Sequence, residues 1–270
     1  AVHLEELVRR RRAVLDGDDP DDLRRLRVAA RRIRSLLRAA RPLLDPAWAE
    51  PLRAELGWLG GALGPARDLD VLLVHVRAVS AHFEPGEQFT LARAIRTLDD
   101  ERGEAYAGAL EALAGVRCEQ LVRRLRLELP SPRVRPCNLT TEALAAAEFR
   151  RLRKSVRRLR GVATDDQLHG LRIRVKRARY AAELAEREVG KGAAHFVARA
   201  KVVQDVLGEH QDACVAEARM RSLLGGPQGQ RWAVAAGRLI ERQAVRREWA
   251  RAAFTPAWTA LEREGRAVWQ

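Results

Sequence analysis

The chain has 270 residues and a formal net charge of +14, from 50 Lys and Arg against 36 Asp and Glu. Hydrophobic residues make up 47%, enough for a packed core, while aromatic residues reach only 5%, which argues against a base-stacking platform. Ala, Leu, Arg and Glu dominate and Ile, Thr and Tyr are scarce, a balance that speaks against extensive sheet and predicts an all-α protein.

In chain order, residues 2–15 read as a helix with Leu4, Leu7 and Val8 apolar and Arg9 to Arg12 basic. Gly17-Asp18-Asp19-Pro20 ends it, and Asp21 or Asp22 is the expected N-cap of a second helix that stops near Pro42. One long helix is predicted from about Pro46 to Phe83, with a kink in the Gly60, Gly61, Gly64, Pro65 region. Glu84-Pro85-Gly86 reads as a turn, and residues 88–129 as one or two helices with a break near Gly115.

Pro130-Ser131-Pro132-Arg133-Val134-Arg135-Pro136 is the clearest linker, so the expected organisation is an N-terminal half 1–129, a linker 130–139 and a C-terminal half 140–270. Thr140 or Thr141 caps the next helix, to about Arg160, with Glu142 in capping-box fashion. Gly161 and Asp165-Asp166 separate it from a helix that ends before Gly190. Residues 193–224 form another, Gly225-Gly226-Pro227 a turn, and 228–253 and 256–268 two helices split at Thr255-Pro256.

The stretch Asp166 to Tyr180 is the most informative. At about 100° per residue, Leu168, Leu171, Val175, Ala178 and Ala182 form one apolar stripe. His169, Arg172, Lys176 and Arg179 form a second stripe beside it that contains no carboxylate, whereas a solvated face usually mixes both signs. Leu23 to Arg34 repeats this pattern without a gap: Leu23, Leu26, Ala30, Ile33 and Leu37 are apolar, and Arg24, Arg27, Arg31 and Arg34 take the four basic places. A second pair repeats as well, Leu63-Gly64-Pro65-Ala66-Arg67-Asp68 with Leu207-Gly208-Glu209-His210-Gln211-Asp212. The opening helices match in turn, Arg9 with Lys154 and Arg12 with Arg157, so the order of motifs predicts an internal duplication.

The His-x-x-Arg-x-x-x-Lys/Arg-Arg-x-Arg helix and the Leu-Gly-x-x-x-Asp helix, each present twice, resemble the CHAD family, the conserved-histidine α-helical domain. The resemblance covers nearly the whole chain. It implies two helical bundles related by a pseudo-twofold axis around a basic central pore or groove, and binding of inorganic polyphosphate. Arg24 stands where the family's first histidine would be, which keeps the charge but removes the imidazole.

Polyphosphate carries about one charge per phosphate and offers no bases to read, so its binder needs many cations on rigid supports. The expected contacts are Arg24, Arg27, Arg31 and Arg34 from one half and His169, Arg172, Lys176 and Arg179 from the other. Arg9, Arg12, Lys154 and Arg157 are second choices, and Lys201, which shares a face with Gln204 and Gln211, is a further one. His210 lies about 180° from Lys201 and is expected to be structural or exposed. Asp68 and Asp212 are expected to orient arginines, and Arg67 to pair with Asp70.

No histidine or cysteine group has metal-ligand spacing, no nucleophile–base pairing appears, and no cofactor motif is present, so the expected role is non-enzymatic. Three separated cysteines, Cys118, Cys137 and Cys214, suit a reduced, cytoplasmic protein, here one that sits at polyphosphate granules. No signal-peptide core or transmembrane-length apolar run is visible. A nucleic-acid binder is the main alternative, since the same field attracts any polyanion, although no DNA-reading motif stands out. An accessory unit of a polyphosphate- or triphosphate-processing enzyme is the other.

Overall fold

The computed structural model describes residues 2–17, 19, 21–80, 83–224 and 233–270. Among them the structure is all-helical and divides into two compact units, Ala1–Cys137 and Asn138–Gln270. Unit 1 holds α1 (Val2–Asp16), α2 (Asp22–Ala39), α3 (Pro46–Ala62), α4 (Gly64–Ser80), α5 (Pro85–Ala114) and α6 (Val116–Glu128). Unit 2 holds α7 (Thr141–Val156), α8 (Asp165–Val189), α9 (Lys191–Leu224) and α10 (Ala233–Trp269). In each unit the basic-stripe helix packs on the helix before it, α2 on α1 and α8 on α7.

The apolar stripes do what their period dictates. Leu23, Leu26, Ala30, Ile33 and Leu37 of α2 are all buried, as are Leu168, Leu171, Val175, Ala178 and Ala182 of α8. The unit 1 core gathers the α2 residues with Leu7, Leu52, Leu56, Leu59, Leu113 and Leu125. In unit 2, Phe149 of α7 meets Phe196 of α9 edge to face at 5.5 Å, and Phe196 meets Trp269 of α10 at 5.8 Å. Gly265 lets α10 approach this stack: a Cβ there would lie 2.3 Å from Phe149 Cε2.

Several boundaries differ from the sequence expectation. The helix expected over Pro46 to Phe83 is two helices, parted at Leu63, whose N–H still donates to Leu59 O at 3.1 Å. Pro65 then falls in the first turn of α4, where its missing donor costs nothing. Pro85, expected in a turn, opens α5 for the same reason, and the break at Gly115 is present. Pro256, expected to split the last helix, lies inside α10; buried Phe254, Trp258 and Leu261 anchor the helix on both sides of it, against an intrinsic cost of about 3 kcal/mol.

Caps also moved. Asp21 precedes α2 with a helical backbone and makes no side-chain cap, because its carboxylate is taken by arginines. Thr140 caps α7 through Ala143 N at 3.0 Å, but Glu142 stands one residue too early to close a capping box. The box forms instead at α8, where Thr164 Oγ1 accepts from Gln167 N at 3.2 Å and Gln167 Oε1 accepts from Thr164 N at 2.9 Å. Asp165 and Asp166 are thus first-turn residues, well placed against the helix dipole.

Part of the proline-rich segment is held on unit 1. Asp45 N donates to Arg133 O and Arg135 N to Leu43 O, each at 2.9 Å, around an antiparallel bridge between Leu44 and Val134. The Gly225-Gly226-Pro227 turn and two residues of the first break, Asp18 and Pro20, lie outside the described residues. No helix among the described residues is long and apolar enough to cross a membrane.

Candidate anion-binding faces

On α2 the four basic positions have unequal surroundings. Arg24 is exposed and donates Nη2 to Asp21 Oδ2 at 2.7 Å and Nε to Oδ1. This clamp holds the Asp21 carboxyl at about 2, so the pair persists at neutral pH. Arg27 is half-buried and lies 3.6 Å from Asp68 of α4, the orienting role expected for that carboxylate. Arg31 and Arg34 are exposed. The Arg34 guanidinium rests on α3 where Gly57 has no side chain; a Cβ there would come within 3.1 Å of Nη2. Among the described residues no ion pair involves Arg34.

On α8, His169 is exposed and its Nδ1 lies 2.5 Å from Gln211 Oε1 of α9. Arg172 and Lys176 are half-buried. Arg172 Nε is sealed from solvent and has no hydrogen-bond partner, and the same holds for Nε of Arg177. An unsatisfied buried N–H costs about 1–3 kcal/mol.

Arg179 corrects the sequence expectation. It is only 6% exposed, pairs with Glu183 at 3.5 Å and stacks on Tyr180, its Cζ 4.6 Å from the ring centroid. It packs inside unit 2 and does not continue the presented stripe. By rotation it lies about 60° from the centre of the apolar stripe, nearer than Arg172 or Lys176, and that signal with an acid at i+4 was readable. Its counterpart Arg34 stays exposed in the same register because Gly57 leaves it a shelf.

The second-choice residues engage their own helices or solvent. Arg9 pairs with Glu6, and Arg12 lies 3.5 Å from Asp16. Lys154 and Arg157 are exposed at the end of α7, Arg157 being its C-cap. Lys201 is exposed on α9, and Gln211, placed on its face by the sequence, ties that helix to His169. Asp212 is exposed. Asp70 pairs with Arg102 of α5 and not with Arg67, since the guanidinium reaches it from across the helix pair.

Arg177 was not foreseen. It lies about 80° beyond His169, away from the apolar stripe, so no periodicity singles it out.

His210 is 1% exposed, which settles its structural alternative. Its Nε2 lies 3.2 Å from Asp165, and Arg247 and Arg251 of α10 hold the same carboxylate, so the start of α8 is latched to α9 and α10. Burial pushes the imidazole below its ordinary value, with both arginines adding to the effect and Asp165 opposing it. Asp165, His210 and Cys214 offer donor atoms within 4.8 Å of one another. They do not fit a cation: the carboxylate is already shared by two guanidiniums, and burial raises the Cys214 thiol so that it stays protonated.

The family model for the CHAD domain matches residues 1–221. Uncharacterized proteins from two Mycobacterium tuberculosis strains are 30% identical over 213 residues, covering 74% of the chain. The chain spans 40% of the length of these curated relatives. Among solved structures, PptA from Streptomyces chartreusis superposes with a TM-score of 0.79 at 26% identity, over 96% of this chain and 95% of that one. The CHAD domain from the plant Ricinus communis superposes at 0.68 with 24% identity, over 93% and 87%, a likeness of fold.

Proposed function

The chain belongs to the CHAD domain family, and we propose that it binds inorganic polyphosphate without catalysing a reaction on it. The observation that carries this reading is the row of cations on α8 that holds no carboxylate, with His169 exposed and Arg172 and Lys176 half-buried on it. Phosphate oxygens meet the charged groups of this row, and the neighbouring cations add long-range field. Arg24, Arg27, Arg31 and Arg34 give unit 1 a second basic face, on which Arg24 and Arg27 also meet Asp21 and Asp68. On this reading the halves are copies of one ancestral unit, and the protein serves as a targeting or scaffold module on polyphosphate granules.

Multi-cation binding is salt-sensitive. Log affinity against log salt should fall with a slope of roughly −0.7 per neutralised phosphate, taking the single-strand coefficient as a proxy. Fluorescence titration with long-chain polyphosphate from low to high salt measures it, with duplex DNA as competitor at fixed salt. A flat response, or preference for DNA, would sink the reading.

His169 gives a second test, because it is exposed on the stripe and Arg24 takes its matched place in unit 1. His169→Arg should keep binding at constant ionic strength, and His169→Glu should weaken it. Equal affinities of wild type and His169→Glu, measured by the same titration, would remove His169 from the contact.

A further inference from the structure

A cavity of about 1060 Å³ runs along α1 and α6 of unit 1, away from the carboxylate-free stripe of α2. Its floor is apolar along α1, where Leu4, Val8 and Leu15 share one side; on α6 Val122 and Leu127 stand about 140° apart, with Arg123 and Arg126 between them. Leu4, Val8 and Leu15 stand at i, i+4 and i+11, so the floor follows the helix axis for about 16 Å at 1.5 Å per residue. Leu127 remains 69% exposed and Leu15 39%, although both border buried residues. The groove is open to solvent along one side. Its length suits a row of side chains better than one compact molecule.

The rim carries the sign. Arg9, Arg11, Arg12, Arg123 and Arg126 face three carboxylates, Glu5, Asp16 and Glu119. Arg11 is spent on Leu113 O at 2.9 Å and Arg12 on Asp16. Arg123 and Arg126 are exposed on α6, and among the described residues no ion pair involves either. An apolar strip along α1 with unmatched cations on the α6 bank is the complement of an amphipathic helix with an acidic flank. A bare phosphate polymer would gain nothing from the apolar floor.

We propose that this groove docks an acidic amphipathic helix of a protein partner. Its apolar residues at i, i+4, i+7 and i+11 enter the trough, and its Asp or Glu side chains meet Arg123 and Arg126. The occupant is distinct from polyphosphate, although Arg9 and Arg12, second-choice phosphate contacts, stand on the same rim.

The test uses two labelled synthetic peptides of roughly 18 residues, about five helical turns. One carries a Leu stripe flanked by Glu, and the other has the same composition scrambled to erase the stripe. Anisotropy titration of the full chain at physiological salt should show the striped peptide binding at least tenfold tighter. Leu127→Glu, and separately Arg123→Glu with Arg126→Glu, should each weaken it at least tenfold with helicity unchanged by circular dichroism. Equal binding of the two peptides would mean that net charge alone attracts them and would overturn the proposal, as would indifference to both variants. Binding of dodecyl phosphate through these residues, with no binding of the striped peptide, would also overturn it and assign the groove to an anionic amphiphile.

Discussion

Arg172→Glu should weaken polyphosphate binding by more than tenfold, whereas Arg133→Glu should change it by less than about threefold at physiological salt. Arg172 is half-buried on a rigid helix, so a phosphate contact with its guanidinium is a charge-assisted hydrogen bond worth about 1.5–3 kcal/mol, roughly 10- to 150-fold. Reversal adds repulsion to that loss. Arg133 is exposed, and only its backbone carbonyl is used, by Asp45 N, so its charge acts through a field largely screened beyond about 8 Å. Arg172→Gln removes the charge without adding a buried acid and should still cost about tenfold. Arg27→Glu should resemble Arg172→Glu, moderated by the release of Asp68. Isothermal titration with long-chain polyphosphate, with helicity checked by circular dichroism, measures all four. Equal losses at Arg172 and Arg133 would mean that only net charge matters.

Phe149→Ala should be the most destabilising single change in unit 2, by about 3–5 kcal/mol. The ring is fully buried, holds Phe196 edge to face, and through it Trp269, so truncation opens a cavity among three helices. Gly265→Ala tests the same contact from the other side. In an exposed helix it would gain about 1 kcal/mol of propensity. Here the new Cβ starts 2.3 Å from a ring atom that is packed and cannot swing away, and overpacking of about 1–3 kcal/mol wins. Combining Gly265→Ala with Phe149→Leu should cost less than the sum of the two, because the smaller side chain vacates the clash. Urea unfolding midpoints at constant slope read all four corners of the cycle. Strict additivity would show that the two residues do not meet.

How legible the sequence was depends on what each signal measures. The buried stripes of α2 and α8 were readable because a 3.6-residue period is a direct image of one-sided burial. The cationic stripe was readable as a row, but not as an environment. Arg24, Arg172 and the matched pair Arg34 and Arg179 occupy three places of the repeat, and their surroundings differ: a carboxylate clamp for Arg24, an unpaired nitrogen for Arg172, a glycine shelf for Arg34 and a buried ion pair for Arg179. Those differences come from the neighbouring helices, which local periodicity does not encode. Proline misled in both directions for one reason. It is a strong breaker only when its N–H would have been needed, and at Pro65 and Pro85 it was not. At Pro256 the flanking buried residues outweighed the loss. The latch of Asp165, His210, Arg247 and Arg251 joins residues far apart in the chain and left no sequence trace beyond the burial side of His210.

The pairing of residues 43–45 with 133–135 sets an order of events during synthesis. The connection between α2 and α3 emerges from the ribosome early and must wait for the proline-rich segment before its backbone groups find these partners. Contacts of such sequence separation close late, after the local helices have formed. These hydrogen bonds cannot form until the residues that immediately precede the second unit have been made, so the nascent chain completes one folding unit only as it begins to deliver the next.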